Sequence, residues 1–158
     1  MTVIWCIVLI PVVLFIFFYN DMVLKKTRAN YKMAVVNGVF CRRMDLAGDF
    51  GRVLAAEHKE LAAQFTELTG EHSNAALLEE KNGRDKRFSA LVAQTALQLE
   101  ADPAVGKLLA DFKELDAALK KARDNYNESA GLINAALQQP CGKLLSKKMK
   151  LSAFVLLD

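Results

Sequence analysis

The sequence predicts an all-α protein: a single N-terminal transmembrane helix followed by a bundle of long helices. Three observations predict it. The run "VIWCIVLIPVVLFIFFY", Val3 to Tyr19, carries no charge. After it Ala, Leu, Lys and Glu dominate, all good helix formers, and no useful stretch alternates at a strand period. Between Val105 and Ala136, apolar or small residues return at steps of three and four, the spacing of one helix face.

The first element is the anchor, expected over residues 1–24. A bilayer-spanning helix needs about 20 mostly apolar residues, and Met1, Thr2 and the later "MVL" bring the run to that length. Pro11 lies mid-span, where bilayer helices tolerate it. A cleaved signal peptide would need a basic n-region and a small-residue cleavage site. No Lys or Arg precedes the run, and its exit "FFYNDM" offers no small pair to cut. Lys25, Lys26, Arg28, Lys32, Arg42 and Arg43 all follow it, so the positive-inside bias places the remainder on the cytoplasmic side.

The first helix continues from the anchor to about Leu46, with Met33, Val36, Phe40 and Met44 as its stripe. In "AGDFG", Ala47 to Gly51, two glycines weaken a helix and Asp49 can cap a new one. The next stripe is Leu54, Leu61, Phe65 and Leu68, ended by Gly70. Residues 71–83 read as a loop with a helical start near Ala75, and "KNGR", Lys81 to Arg84, is a turn signal. Phe88, Leu91, Val92 and Leu99 mark another helix. The longest runs from Ala104 to Gln138, with Asp102-Pro103 supplying its start and Pro140 its stop. If Gly48 and Gly51 merely kink the chain, three long helices result; if they mark a turn, four helices alternate up and down. Periodicity leaves both open.

Several blocks resemble the LemA family. "YND", Tyr19 to Asp21, is similar to its Tyr-Asn at the membrane exit, and "CRRMDLAGDF", Cys41 to Phe50, to its Arg-Arg-x-Asp-Leu-x-Pro-Asn-Leu motif. "ARDNYNESAGLIN", Ala122 to Asn134, resembles its Ala-Arg-x-x-Tyr-Asn block with a second Tyr-Asn, and "EADP", Glu100 to Pro103, its Glu-x-Tyr-Pro turn. Gly48 stands where the family has proline, Ile133 where it has the second tyrosine, and its Lys-Gly-Tyr-Ala stretch is missing between Val53 and His58. The resemblance implies a bacterial inner-membrane protein with one anchor, an antiparallel up-and-down four-helix bundle over residues 25–140 and therefore a turn near Gly48. It implies no agreed enzymatic activity, and a link of some relatives to membrane organisation.

In that four-helix arrangement the first and last helices run antiparallel, which sets Asn30 level with Asn134 and Asn37 level with Asn127. These amides beside the seam are expected to form polar layers that fix register, as a buried Asn does in coiled coils, with the Tyr126 hydroxyl reaching a partner. The alternative is that all four asparagines face water. Arg42, Arg43 and Asp45 form a charge cluster where the first helix is expected to end. Cations there suit the helix dipole; the alternative is pairing with a carboxylate of a neighbouring helix, which would pin the turn.

The chemistry of catalysis is not visible. His58 and His72 are the only histidines and form no metal-ligating motif, no glycine loop cradles phosphate, and Cys6, Cys41 and Cys141 have no paired spacing. No cofactor, metal or catalytic residue is expected. A net charge of +3 without an aromatic-interleaved basic stripe does not argue for nucleic acid. In the tail, residues 141–158, Lys143, Lys147, Lys148 and Lys150 interleave with Leu144, Leu145, Met149 and Leu151. Should the bundle return to the membrane, they would join Lys25, Lys26 and Arg28 in a belt for anionic lipid; otherwise the apolar tail caps the bundle base. The expected function is a membrane-anchored scaffold or interaction protein with an unknown protein partner. The alternatives are an anionic-lipid surface sensor, and a hydrolase or metal protein that would need a polar pocket inside the bundle.

Overall fold

The structure, a computed structural model, describes residues 2–70, 78–99 and 102–157, with side chains from Leu9 onward except at positions 11, 70, 78, 79 and 149. Among the described residues there are five α-helices and no strand: α1 Thr2–Leu54, α2 Lys59–Gly70, α3 Leu78–Leu99, α4 Pro103–Gln138 and α5 Pro140–Met149. An extended segment, residues 151–157, follows α5.

The membrane-spanning anchor is not supported. Among the described residues no helix is long and apolar enough to cross a membrane. Within the described side chains the uncharged run ends at Asn20, and any extension of it takes in Asp21, Lys25, Lys26 and Arg28. Side chains 1–8 of the expected anchor lie outside the described residues. The single-pass inner-membrane location, which rested on that anchor, is overturned with it.

Helix α1 is longer than expected, and the turn comes after Leu54, at residues 55–57, instead of near Gly48. The reason is a seven-residue repeat that runs straight through the glycines. Met22, Ala29, Val36, Arg43 and Phe50 are all buried, and a heptad spacing keeps one face of a helix turned toward its neighbours. Burial of Met44, Ala47, Phe50 and Leu54 outweighs the roughly 1 kcal/mol that each glycine costs a helix. Gly51 helps α2 to approach: a Cβ there would stand 3.1 Å from Thr66 Oγ1.

"KNGR" is likewise inside a helix, α3, and not a turn. Arg84 and Asp85 are buried there, and Asp85 is bonded to Arg43, so tertiary pairing overrides the local Asn-Gly preference. Of the loop expected at residues 71–83, residues 71–77 lie outside the described residues and residues 78–83 belong to α3. α4 begins and ends where its seam predicts, and Asp102 Oδ1 accepts the N–H of Ala104 at 2.8 Å as an N-cap. Pro140 closes α4 and occupies the first turn of α5, where its missing N–H costs nothing.

The chain divides into two compact units. One comprises Asn37–Lys121. Its core is built from Met44, Phe50 and Leu54 of α1, Leu61, Phe65 and Leu68 of α2, Phe88 and Val92 of α3, and Val105 of α4. Phe50 and Phe65 stack at 5.0 Å, and Phe88 meets both edge-on at 6.2 and 6.1 Å. Arg43, fully buried, occupies an apolar slot of the heptad. Its Nε donates to Asp85 Oδ1 at 2.7 Å, Nη1 to Asp116 Oδ1 at 2.9 Å and Nη2 to Ser89 Oγ at 2.9 Å, and its Cζ lies 4.7 Å from the centre of the Phe112 ring. A charge so placed needs all its donors satisfied. Helices α3 and α4 supply the partners, so within this unit Arg43 of α1 has the neighbouring-helix carboxylates, while Arg42 and Asp45 are exposed.

The other unit comprises Met1–Val36 and Ala122–Asp158. Its buried residues include Met22 and Ala29 of α1, Ala122, Tyr126, Ala130, Ile133 and Ala136 of α4, Leu145 of α5 and Leu157 of the extended segment. Gly142 lets α5 fold back onto the end of α4, since a Cβ there would collide with the carbonyl oxygen of Ala136.

Candidate functional site: asparagine clamps on the C-terminal segment

Asn127 and Asn134 sit on α4, each one residue past a buried seam position, Tyr126 or Ile133. That offset rotates the amides about 100° from the seam, onto a flank of the helix where the C-terminal segment lies. Asn134 Oδ1 accepts the N–H of Phe154 at 2.8 Å, and its Nδ2 donates to the carbonyl of the same residue at 2.8 Å. Asn127 treats Leu157 in the same way, accepting its N–H at 2.8 Å and donating to its carbonyl at 2.7 Å. The Tyr126 hydroxyl donates to Val155 O at 2.8 Å between them. Burial pushes the phenol's pKa up, so the proton it donates is held more firmly.

The spacing follows from helix geometry. Seven residues of α-helix advance about 10.5 Å, and three residues of extended chain cover about 9 to 10 Å. Two amides seven positions apart therefore meet two backbone units three positions apart. The segment runs antiparallel to α4, since the later residue, Leu157, meets the earlier asparagine. Its burial repeats every third residue: Leu151, Phe154 and Leu157 turn inward, while Ser152, Ala153, Val155 and Leu156 are exposed. A repeat of three is that of an extended left-handed chain, not the repeat of two of a sheet strand.

The asparagines expected opposite these two on α1 are placed differently. Asn30 is exposed, and Asn37 accepts a hydrogen bond from Lys81 Nζ at 3.2 Å. The partners of Asn127 and Asn134 are thus main-chain groups of the tail. The signal that could have pointed to this was the matching period: seven between amides on a helix, three between Leu151, Phe154 and Leu157 in the tail.

Of the candidate lipid-facing residues, Lys143, Lys147, Lys148 and Lys150 are exposed on and just after α5. Arg28 is exposed too; Lys25 and Lys26 are half-buried, and Lys25 is paired with Asp21. Leu145 is buried beneath α5, while Leu144 is exposed. Lys150 ends α5 in the left-handed conformation, φ 49°, with its N–H bonded to Ser146 O, and there the chain turns into the extended segment.

His58 borders a cleft of about 480 Å³ with Glu57, Glu60, Gln64, Gln94 and Gln98, whose lining holds no serine, cysteine or second histidine. His72 lies outside the described residues. Among those described, no group of three or more His, Cys, Asp and Glu side chains is placed to hold a metal ion. Cys41 and Cys141 are free and exposed. Comparison of the chain with protein-family models, with curated proteins and with solved structures finds no match.

Proposed function

We propose that this chain is a non-catalytic helical interaction protein, a scaffold of the LemA type, that works by holding extended polypeptide against α4. One observation carries the reading. Asn127 and Asn134 each spend both halves of a side-chain amide on the N–H and C=O of a single residue. An amide presents one donor group and one acceptor in the complement of a peptide unit, so a pair of them grips main chain with little regard to side chains. That chemistry suits binding a polypeptide, whereas acting on a small molecule needs a nucleophile, base or metal beside a pocket. The test is photocrosslinking in the source cell from a benzophenone amino acid in place of Gly131, an exposed position of α4 on the flank of Asn127 and Asn134 with open space around it. Protein adducts are expected, and they should fade when Asn127 and Asn134 are changed to Asp. A probe that yields no protein adduct removes the reading.

A second reading rests on α5, whose exposed lysines flank the exposed Leu144. Such a helix suits the surface of an anionic bilayer, where each lysine is worth about 1 kcal/mol. Flotation with phosphatidylserine vesicles should then fall when Lys143, Lys147, Lys148 and Lys150 become Gln; unchanged flotation eliminates it.

A further inference from the structure

The tail lies along the flank of α4 at Tyr126, Asn127 and Asn134. It occupies a site whose recognition rules can be read from the contacts, and those rules define other occupants. Two features make the site specific to a conformation. The clamps grip main-chain units three residues apart, and the inward side chains fall at the same residues, Phe154 and Leu157, with Leu151 one repeat earlier. Nothing grips the intervening side chains: Val155 and Leu156 are 67% and 55% exposed. Tyr126 reads a backbone carbonyl as well. Between α5 and this segment stands Lys150, a residue with a Cβ in the left-handed region, which L-residues other than glycine avoid. A rotation there would swing residues 151–157 off α4 and leave α5 in place.

We propose that the α4 flank carrying Tyr126, Asn127 and Asn134 is a main-chain-reading groove for extended segments of a partner protein with an apolar residue at every third position, and that residues 151–157 fill it in cis as a displaceable mimic of that partner. This rests on the interaction reading above and names its ligand. A tail tethered through one residue competes at an effective concentration in the millimolar range, so the intact chain admits only partners that outbind it or that find it displaced. The tail therefore sets the threshold for binding.

The probe is a fluorescein-labelled peptide, KLSAFVLLD, identical to residues 150–158. It is titrated by anisotropy against the intact chain and against the chain carrying Phe154→Ser and Leu157→Ser, which disables the cis tail. The disabled chain is expected to bind at least tenfold more tightly than the intact one. Adding Asn127→Asp and Asn134→Asp, which replaces each donor with an anion facing a carbonyl, should lose at least tenfold. Serine in the peptide at the Phe154 or Leu157 position should lose at least tenfold, and at the Val155 or Leu156 position less than twofold. Absence of saturable binding to a disabled chain with native helical circular dichroism overturns the proposal, as does binding indifferent to the asparagines. Dimers of the intact chain that the peptide dissolves would give the groove to a second copy and also overturn it. Should the disabled chain fail to fold, hydrogen exchange on the intact chain decides. Phe154 and Leu157 amides exchanging faster than those of α4 support a displaceable tail; exchange only with global unfolding overturns it. Protein adducts at position 131 without peptide binding would retain the interaction reading and discard this ligand.

Discussion

Replacing Arg43 by Met keeps an unbranched stem, ends it short of the guanidinium, and removes the charge from the core of the Asn37–Lys121 unit. The three hydrogen-bond partners do not weigh equally. The side chain of Asp116 is 62% exposed, so water takes the place of the guanidinium and the loss stays below about 1 kcal/mol. Ser89 forfeits an ordinary charged hydrogen bond of about 1.5 kcal/mol. Asp85 decides the outcome, because its side chain is only 9% exposed and its carboxylate remains inside without the cation that neutralises it. Breaking a buried pair from one side costs about 3 to 5 kcal/mol. Asp85 takes part in a further interaction, and the Met side chain packs against Phe88 and Phe112, so the net expectation is about 3 kcal/mol. Urea unfolding followed by helical circular dichroism measures it, with the m-value checking that the same surface is exposed. The decisive comparison is the double variant Arg43→Met with Asp85→Leu, which removes both charges and should recover to within about 1 kcal/mol of the parent. A single variant that loses less than about 1 kcal/mol, or a double variant no better than the single, refutes the reasoning.

Gly142→Ala should destabilise the unit containing α5 by about 2 kcal/mol or more, because the new methyl meets backbone at Ala136 O that cannot swing aside. Gly38→Ala, in open space on α1, should raise stability by about 0.5 to 1 kcal/mol; thermal melting of the two variants side by side checks the opposite signs. Tyr126→Phe should cost about 1 kcal/mol of tail docking through the lost bond to Val155 O, read as faster hydrogen exchange in residues 151–157. The tyrosine also predicts a pH dependence. Its folded-state pKa lies above the ordinary value of about 10, so its contribution is complete below pH 10 and is lost as pH rises through the raised value. Tail exchange monitored into that alkaline range should accelerate in the parent and show no such step in Tyr126→Phe.

The limits of α4 were legible because capping and breaking residues bracket a sustained seam: Asp102 and Pro103 in front, Pro140 behind. The limits of α1 were not. Gly48 and Gly51 carry a local preference to stop, and only the buried face running through Phe50 to Leu54 shows why the helix ignores them. "KNGR" misleads in the same way, since a turn preference of about 1 kcal/mol is outweighed by the pairing of Asp85 with Arg43 across forty-two residues. The asparagine pair is conspicuous in the sequence, but helix geometry points it toward α1, because the main-chain donors and acceptors of a tail have no side-chain signature. Main-chain groups are the same in every residue, so a site built to hold them leaves its mark only on the side that does the holding.

By itself, then, the amino-acid sequence determined the all-helical character of the chain, the seam of α4 and the offset of Asn127 and Asn134 from that seam. These depend on residues a few positions apart, where period and capping act directly. The tertiary structure decided where α1 turns, which carboxylates neutralise Arg43, and that the asparagines close on Phe154 and Leu157. Each of those depends on groups brought together from distant positions, and the energy of burying them exceeds the local preferences that a linear reading can weigh.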